Sequence, residues 1–172
     1  MNTKDKITYI SNWIKDYALS INKNPVTLVI GVSGGVDSAL TSTLCAHTGL
    51  KTIAVSMPIK QNSVQHDLSL RHLDFLKQNF PNVETKVVEL DNVFKVFQDT
   101  MQNFNSDLAF ANSRSRLRMV TLYQIAQSNN GIVVGTGNKV EDFGVGFYTK
   151  YGDGGVDISP IADCTKSEVW EL

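Results

Sequence analysis

The stretch Val26-Thr27-Leu28-Val29-Ile30-Gly31-Val32-Ser33-Gly34-Gly35-Val36-Asp37-Ser38 decides the fold. Its first half, Val26 to Val32, is a continuous apolar, β-branched run of the kind carried by strands buried on both faces. Buried parallel strands need crossover helices. The second half is a glycine turn that feeds a predicted helix from Val36 to about Thr48. Gly34 and Gly35 let the backbone turn tightly and bring N–H groups close to an anion, while the following helix adds its positive N-terminal end. Ser33 and Ser38 add hydroxyl donors. Asp37 would repel a phosphate, so its place is as a ligand for the Mg²⁺ that accompanies a nucleotide.

Working outward, Ile7, Ile10, Trp13, Ile14, Tyr17, Ala18 and Ile21 recur at steps of three and four and predict a helix from Thr3 to about Asn22. Asn24-Pro25 breaks it. Downstream, the pattern predicts a strand Thr52 to Met57, a helix across Leu68 to Leu76 and a strand Val83 to Leu90. Two helices follow, near Asp91 to Met101 and Asn112 to Ser128, and then a strand Gly131 to Gly135. This order reads as an α/β fold, a Rossmann-like doubly wound parallel sheet with helices on both faces. Gly144 to Gly155 combines glycines with charged and aromatic residues, which suits a long functional loop.

The chain of 172 residues fits one domain, taken as 1–172. Hydrophobic residues at 42% are enough for a sizeable core, and charged residues at 19% do not suggest disorder. Sixteen Lys and Arg against seventeen Asp and Glu give a net charge of -1, which removes the simplest case for a nucleic-acid partner. No apolar run approaches the ~18 residues of a membrane span, and the first ten residues lack the apolar stretch of a signal peptide. A cytoplasmic location is expected. Cys45 and Cys164 form no CxxC pair, so they read as ordinary buried or half-buried thiols. His47, His66 and His72 read as ordinary helix or surface histidines.

Three further segments carry chemistry. Asn112-Ser113-Arg114-Ser115-Arg116-Leu117-Arg118-Met119 puts three arginines within five residues, with Arg114 and Arg118 on one helix face and Arg116 elsewhere. They form either an anion clamp or a solvated basic face. Gly135-Thr136-Gly137-Asn138-Lys139-Val140-Glu141-Asp142 is a second glycine turn at a strand end, with a hydroxyl and then acids. Gly146-Phe147-Tyr148-Thr149-Lys150-Tyr151-Gly152-Asp153-Gly154-Gly155-Val156-Asp157 follows, with Pro160 and Lys166 beyond.

SGGVDS at 33–38 is neither a Walker A loop nor GxGxxG. It resembles the pyrophosphate-binding loop of the N-type ATP pyrophosphatases, whose fold is adenine nucleotide alpha hydrolase-like. That resemblance implies cleavage of ATP between its α and β phosphates. The succession SGGVDS, NSRSRLRM, GTGNKVE and GFYTKYGDGGVDISP narrows it to the ammonia-dependent NAD synthetases, with TKYGDGG the most specific part.

The resemblance implies ATP-dependent amidation of deamido-NAD by ammonia, through an adenylate, with release of AMP and pyrophosphate. It assigns Gly31, Val32, Ser33, Gly34, Gly35, Val36, Asp37, Ser38, Thr136 and Lys166 to ATP, the co-substrate. Asp37 and Glu141 fall to Mg²⁺, and Arg116, Lys150 and Asp157 to deamido-NAD. Asp37 and Lys166 take the catalytic roles. Asp153 is a weaker candidate, since Asp-Gly often marks only a turn. Gln65 is placed in a loop that covers the nucleotide.

A homodimer, free ammonia as nitrogen donor, and no nucleic-acid or membrane partner are likewise implied. Two alternatives stand beside this reading: another adenylating enzyme of the GMP synthetase kind, and a non-catalytic nucleotide-binding module. Thr165-Lys166-Ser167-Glu168 has the form of a capping box, with Val169, Trp170 and Leu172 starting an apolar stripe. Because such synthetases continue beyond this helix, the chain is expected to be one shortened at its C-terminus.

Overall fold

The computed structural model describes residues 2–21, 26–60 and 62–172. The Asn24-Pro25 break and the Asn22 end of the first helix fall outside them. Four parallel strands, β1 Thr27–Gly31, β2 Thr52–Ser56, β3 Val83–Val87 and β4 Gly131–Val134, form a sheet in the order β3-β2-β1-β4. Register is fixed by Leu28 against Thr52, Thr27 against Gly131, and Thr52 against Val83. Parallel pairing demands crossovers. The chain supplies α1 Thr3–Ile21, α2 Val36–His47, α3 Ser63–Asn79, α4 Asp91–Thr100 and α5 Asp107–Ser128, with α6 Lys166–Glu171 closing it.

Alternation along the strands divides the apolar side chains between two layers. Leu28, Ile30, Ala54, Ile132 and Val134 meet α1, α2, α3 and α6 on one face. Val29, Ile53, Val55 and Val133 meet Phe94 of α4 and Phe110, Met119 and Leu122 of α5 on the other. Both faces of β1, β2 and β4 are therefore covered, as their unbroken apolar runs require. Cys45 is buried and Cys164 half-buried, both as thiols. Among the described residues no helix is long and apolar enough to cross a membrane.

Several boundaries differ from the sequence reading. The arginine-bearing helix starts at Asp107, five residues early, because the Ser106 side chain accepts from Ala109 N–H and caps it there. Asn112 thus lies within α5. β3 ends at Val87, since Val88 and Leu90 donate to Ser56 and Pro58 as the chain turns into α4. Gln65 lies in the first turn of α3, which the Asn62 side chain caps by accepting from Val64 N–H. The stripe of α1 is narrower than expected: Ile10, Ile14 and Ala18 are buried, while Trp13, Tyr17 and Ile21 face outward. Trp170 is also exposed.

Candidate functional site

Strand order reverses between β1 and β4, so their carboxyl ends open a crevice of the kind where α/β sheets bind ligands. Gly31 to Ser38 leaves β1 there and Gly135 to Glu141 leaves β4. The first loop is internally braced. Ser38 Oγ donates to the Gly35 carbonyl at 2.9 Å and accepts from Ser33 N–H at 3.2 Å, while Gly35 N–H donates to Ser33 Oγ at 3.3 Å. Gly34 holds φ +90°, and a Cβ there would run into the backbone carbonyl of Gln65. Glycine is required on both counts.

The second loop winds into a π-helical turn, Lys139–Val145. Such turns are rare and are frequent at functional sites. It carries Glu141 toward Asp37 at the start of α2. Between the two acids lies the Lys166 ammonium, 2.6 Å from Asp37 Oδ2 and 3.0 Å from Glu141 Oε1. Lys166 gets there through the capping box, in which Thr165 accepts from Glu168 N–H and Glu168 from Thr165 N–H. A Lys6–Glu168 ion pair of 2.9 Å then ties α6 to α1, and Val169 enters the core. Burial works against the Lys166 charge, but its hydrogen bonds to Asp37 and Glu141 outweigh this and raise its pKa.

Two carboxylates from separate loops therefore face one point beside an open cleft. Mg²⁺ takes such a set, one or two carboxylates completed by phosphate oxygens and water. The residues fit the ion. Among the described residues no three His, Cys, Asp or Glu side chains form a cage for a metal by themselves.

The cleft has a volume of about 840 Å³, within the range of sites for small molecules and cofactors. Gly31, Val32, Ser33 and Thr136 line the end beside the two glycine turns, and Met57 and Ile59 give it an apolar wall. Asn112, Ser115 and Arg118 reach it from α5, and Phe147, Tyr148 and Asp153 from the glycine-rich segment.

The three residues assigned to a second nucleotide lie beside this lining and not in it. Arg116 Nε donates to the Lys150 carbonyl at 3.0 Å, and Lys150 Nζ rests over the Tyr151 ring, 5.1 Å from its centroid. Asp157 accepts from Tyr123 OH at 3.0 Å and from Val133 N–H at 2.7 Å, so one oxygen is held by α5 and the other by β4. Burial and this carboxylate push the Tyr123 phenol up to about 12. His72 Nε2 is 2.8 Å from Ser42 Oγ on the far side of α2, in keeping with a structural histidine.

The structure also gives places to Arg118, Arg114 and Asp153, and it brings in Asn138, to which the sequence alone assigns no role. Arg118 donates from Nε to the Met57 carbonyl at 3.0 Å, and burial, with the Arg114 charge next, lowers its pKa. Arg114 stacks over Phe94, 5.6 Å from its centroid, so the three arginines do three different things. Asp153 accepts from Ser115 Oγ at 2.6 Å and Thr149 N–H at 3.0 Å, which clamps the TKYGDGG segment onto α5. Asn138, fully buried, contacts Asp37 and caps the Glu141 turn. The spacing Asn138-x-x-Glu141 at the head of a turn is a start signal that could have marked it.

Asp142 follows Glu141, and its carboxyl is pushed up to about 6 by burial first and then by Asp153, Glu141 and Asp37. Because the folded pKa exceeds the ordinary 3.8, the fold favours the protonated acid, and stability is lost as pH rises from about 4 through about 6. Asp142→Asn is expected to raise the thermal midpoint at pH 8 and to lose that advantage by pH 4. Equal midpoints for variant and parent at pH 8 would contradict the placement of this acid.

A family model described as NAD synthase matches residues 6–172. The NH(3)-dependent NAD(+) synthetase of Carboxydothermus hydrogenoformans is 36% identical, over all of this chain and 70% of that protein. The protein of the same name from Saccharolobus solfataricus is 40% identical over 94% of this chain and 56% of its own length. Among solved structures, an NMN synthetase from Francisella tularensis superposes with a TM-score of 0.88 at 35% identity, covering 100% of this chain and 69% of that one. An NH3-dependent NAD synthetase from Campylobacter jejuni gives 0.86 at 30% identity, covering 99% and 71%. None of these matches supports the GMP synthetase-like alternative. The chain thus spans between 56% and 71% of the length of these proteins.

Proposed function

The chain belongs to the NAD synthase family, and from that premise we propose that it converts the nicotinate carboxylate of deamido-NAD to the amide of NAD, using ATP and ammonia. The observation that carries this reading is the meeting of Asp37, Glu141 and Lys166 beside the Ser33–Ser38 loop at the sheet's switch point. Relatives named for the same reaction supply the premise.

A carboxylate resists attack because oxide would have to leave. Its oxygen therefore first bonds to the α-phosphorus of ATP, as the bond from that phosphorus to the bridging oxygen breaks and pyrophosphate departs with the electron pair. The positive N-terminal end of α2 and the hydroxyls of Ser33 and Ser38 would face this departing charge. Lys166 adds a cation beside them. When bound between Asp37 and Glu141, Mg²⁺ would neutralise charge on the phosphate oxygens. Ammonia then bonds through its lone pair to the carbonyl carbon, AMP leaves, and the surplus proton passes to solvent. Met57, Ile59 and Phe147 along the cleft would limit water, which competes for the adenylate.

Arg116, Lys150 and Asp157 are proposed to meet deamido-NAD. All three lie on, or bind, the segment from Tyr148 to Asp157 that walls the cleft, and this supports the assignment. A homodimer is part of the same proposal. Phe104 and Leu108 are 73% and 72% exposed where the chain enters α5, and Leu108 also lines the cleft, so an apolar surface adjoins the site.

The likeness to an NMN synthetase favours a second reading, in which the acceptor is nicotinic acid mononucleotide. One assay decides: the chain with MgATP, ammonium and either acid, following pyrophosphate and amide together. Equal amounts of pyrophosphate and NAD from deamido-NAD are expected. Preference for the mononucleotide would install the second reading, and no pyrophosphate despite measurable ATP binding would remove both.

A further inference from the structure

Asn138 stands where one side chain can hold the Asp37 carboxylate and the backbone that carries Glu141. It is fully buried at the turn that leaves β4. Its Nδ2 donates to Asp37 Oδ1 at 3.1 Å. Its Oδ1 accepts from the N–H groups of Val140 and Glu141, both at 3.0 Å. The acceptor half thus fixes the start of the turn that carries Glu141, and the donor half fixes the carboxylate of Asp37, 101 residues away in sequence.

We propose that Asn138 is a positioning residue that sets the spacing of Asp37 and Glu141 for the cation they share. The inference rests on the reading of those two acids as Mg²⁺ ligands. Lys166 bridges the two carboxylates themselves, but its side chain is 37% exposed and long, whereas the Asn138 amide is short and enclosed. The amide is therefore the rigid support and the ammonium the movable one.

Asparagine is the residue type that suits both tasks. Aspartate and serine cap turns as well as asparagine does. Aspartate, however, would set a second carboxylate against Asp37, and serine has no amide donor to reach it. The two tasks can accordingly be separated by substitution. Asn138→Ser keeps the cap and loses the donor, and Asn138→Ala loses both.

The test uses Mn²⁺ as the probe ion, titrated by electron paramagnetic resonance with a non-hydrolysable ATP analogue, beside thermal unfolding of each variant. For Asn138→Ser the thermal midpoint is expected to stay close to that of the parent, while half-saturation by Mn²⁺ moves up about ten-fold or more, the usual effect of removing a residue that orients a metal ligand. The Mg²⁺ concentration for half-maximal turnover should rise in step, with kcat at saturating Mg²⁺ changed far less. Asn138→Ala should lose thermal stability as well.

Mn²⁺ binding by Asn138→Ser equal to the parent's overturns the positioning role and leaves the metal reading intact. Metal affinity that falls only in proportion to thermal stability across the two variants overturns it too. Failure of the parent chain itself to bind Mn²⁺ with the nucleotide removes both readings. If the serine variant does not fold, Asn138→Thr makes the same separation of cap from donor.

Discussion

Asp37→Asn should lower turnover by about 10²–10³, the scale for loss of one group that stabilises charge in a transition state, and should leave the chain folded. The replacement is nearly isosteric, and its side-chain oxygen can still accept the 3.1 Å donation from Asn138. What disappears is the negative charge. Lys166 loses the closer of its two partners, yet it stays 3.0 Å from Glu141, and its partly exposed side chain limits the cost to the fold. The proposed Mg²⁺ site loses half of its carboxylate pair. Initial rates of pyrophosphate release across a Mg²⁺ titration, with a thermal midpoint for each protein, check this. Near-normal activity would refute the metal role.

Lys166→Met should also lower kcat by about 10² or more, through loss of a cation facing the departing phosphates, but with the opposite effect on the metal. The ammonium occupies the meeting point of the two carboxylates, 2.6 and 3.0 Å from them. Any cation entering that point has to displace it. Methionine keeps the length of the side chain without its charge, so Asp37 and Glu141 are left facing one another, and a divalent ion relieves their repulsion. Without nucleotide, Mn²⁺ is therefore expected to bind more tightly to Lys166→Met than to the parent, while turnover collapses. Weaker or unchanged Mn²⁺ binding would show that Lys166 does not compete for the place. Asp37→Asn and Asn138→Ser should move metal affinity the other way, so the three variants together separate ligand, support and competitor.

Much of the fold was legible because buried parallel strands leave a strong mark. The run from Val26 to Val32 is apolar throughout since layers cover both faces of β1, and Leu28 and Val29 duly go to opposite cores. The edge strand β3 was harder to bound, because it alternates charged and apolar residues and ends where hydrogen bonds to Ser56 and Pro58 redirect it. The start of α5 was missed because Asp107 to Ala111 carries little periodic signal, while the Ser106 cap lay unremarked six residues before Asn112.

The sequence by itself determined the local chemistry: a glycine turn between a buried strand and a helix, a second such turn, a capping box and a glycine-rich segment. These are set by contacts within a few residues, and composition records them directly. Only the tertiary structure decided how they meet. That Lys166 lies between Asp37 and Glu141, that Asn138 supports both acids, and that Arg116 holds the Lys150 backbone while Arg118 enters the cleft all depend on strand order and on how α5 and α6 pack. Those contacts span from three residues to more than a hundred. Side-chain direction at such range follows from the packing of whole layers, which no single stretch of sequence encodes.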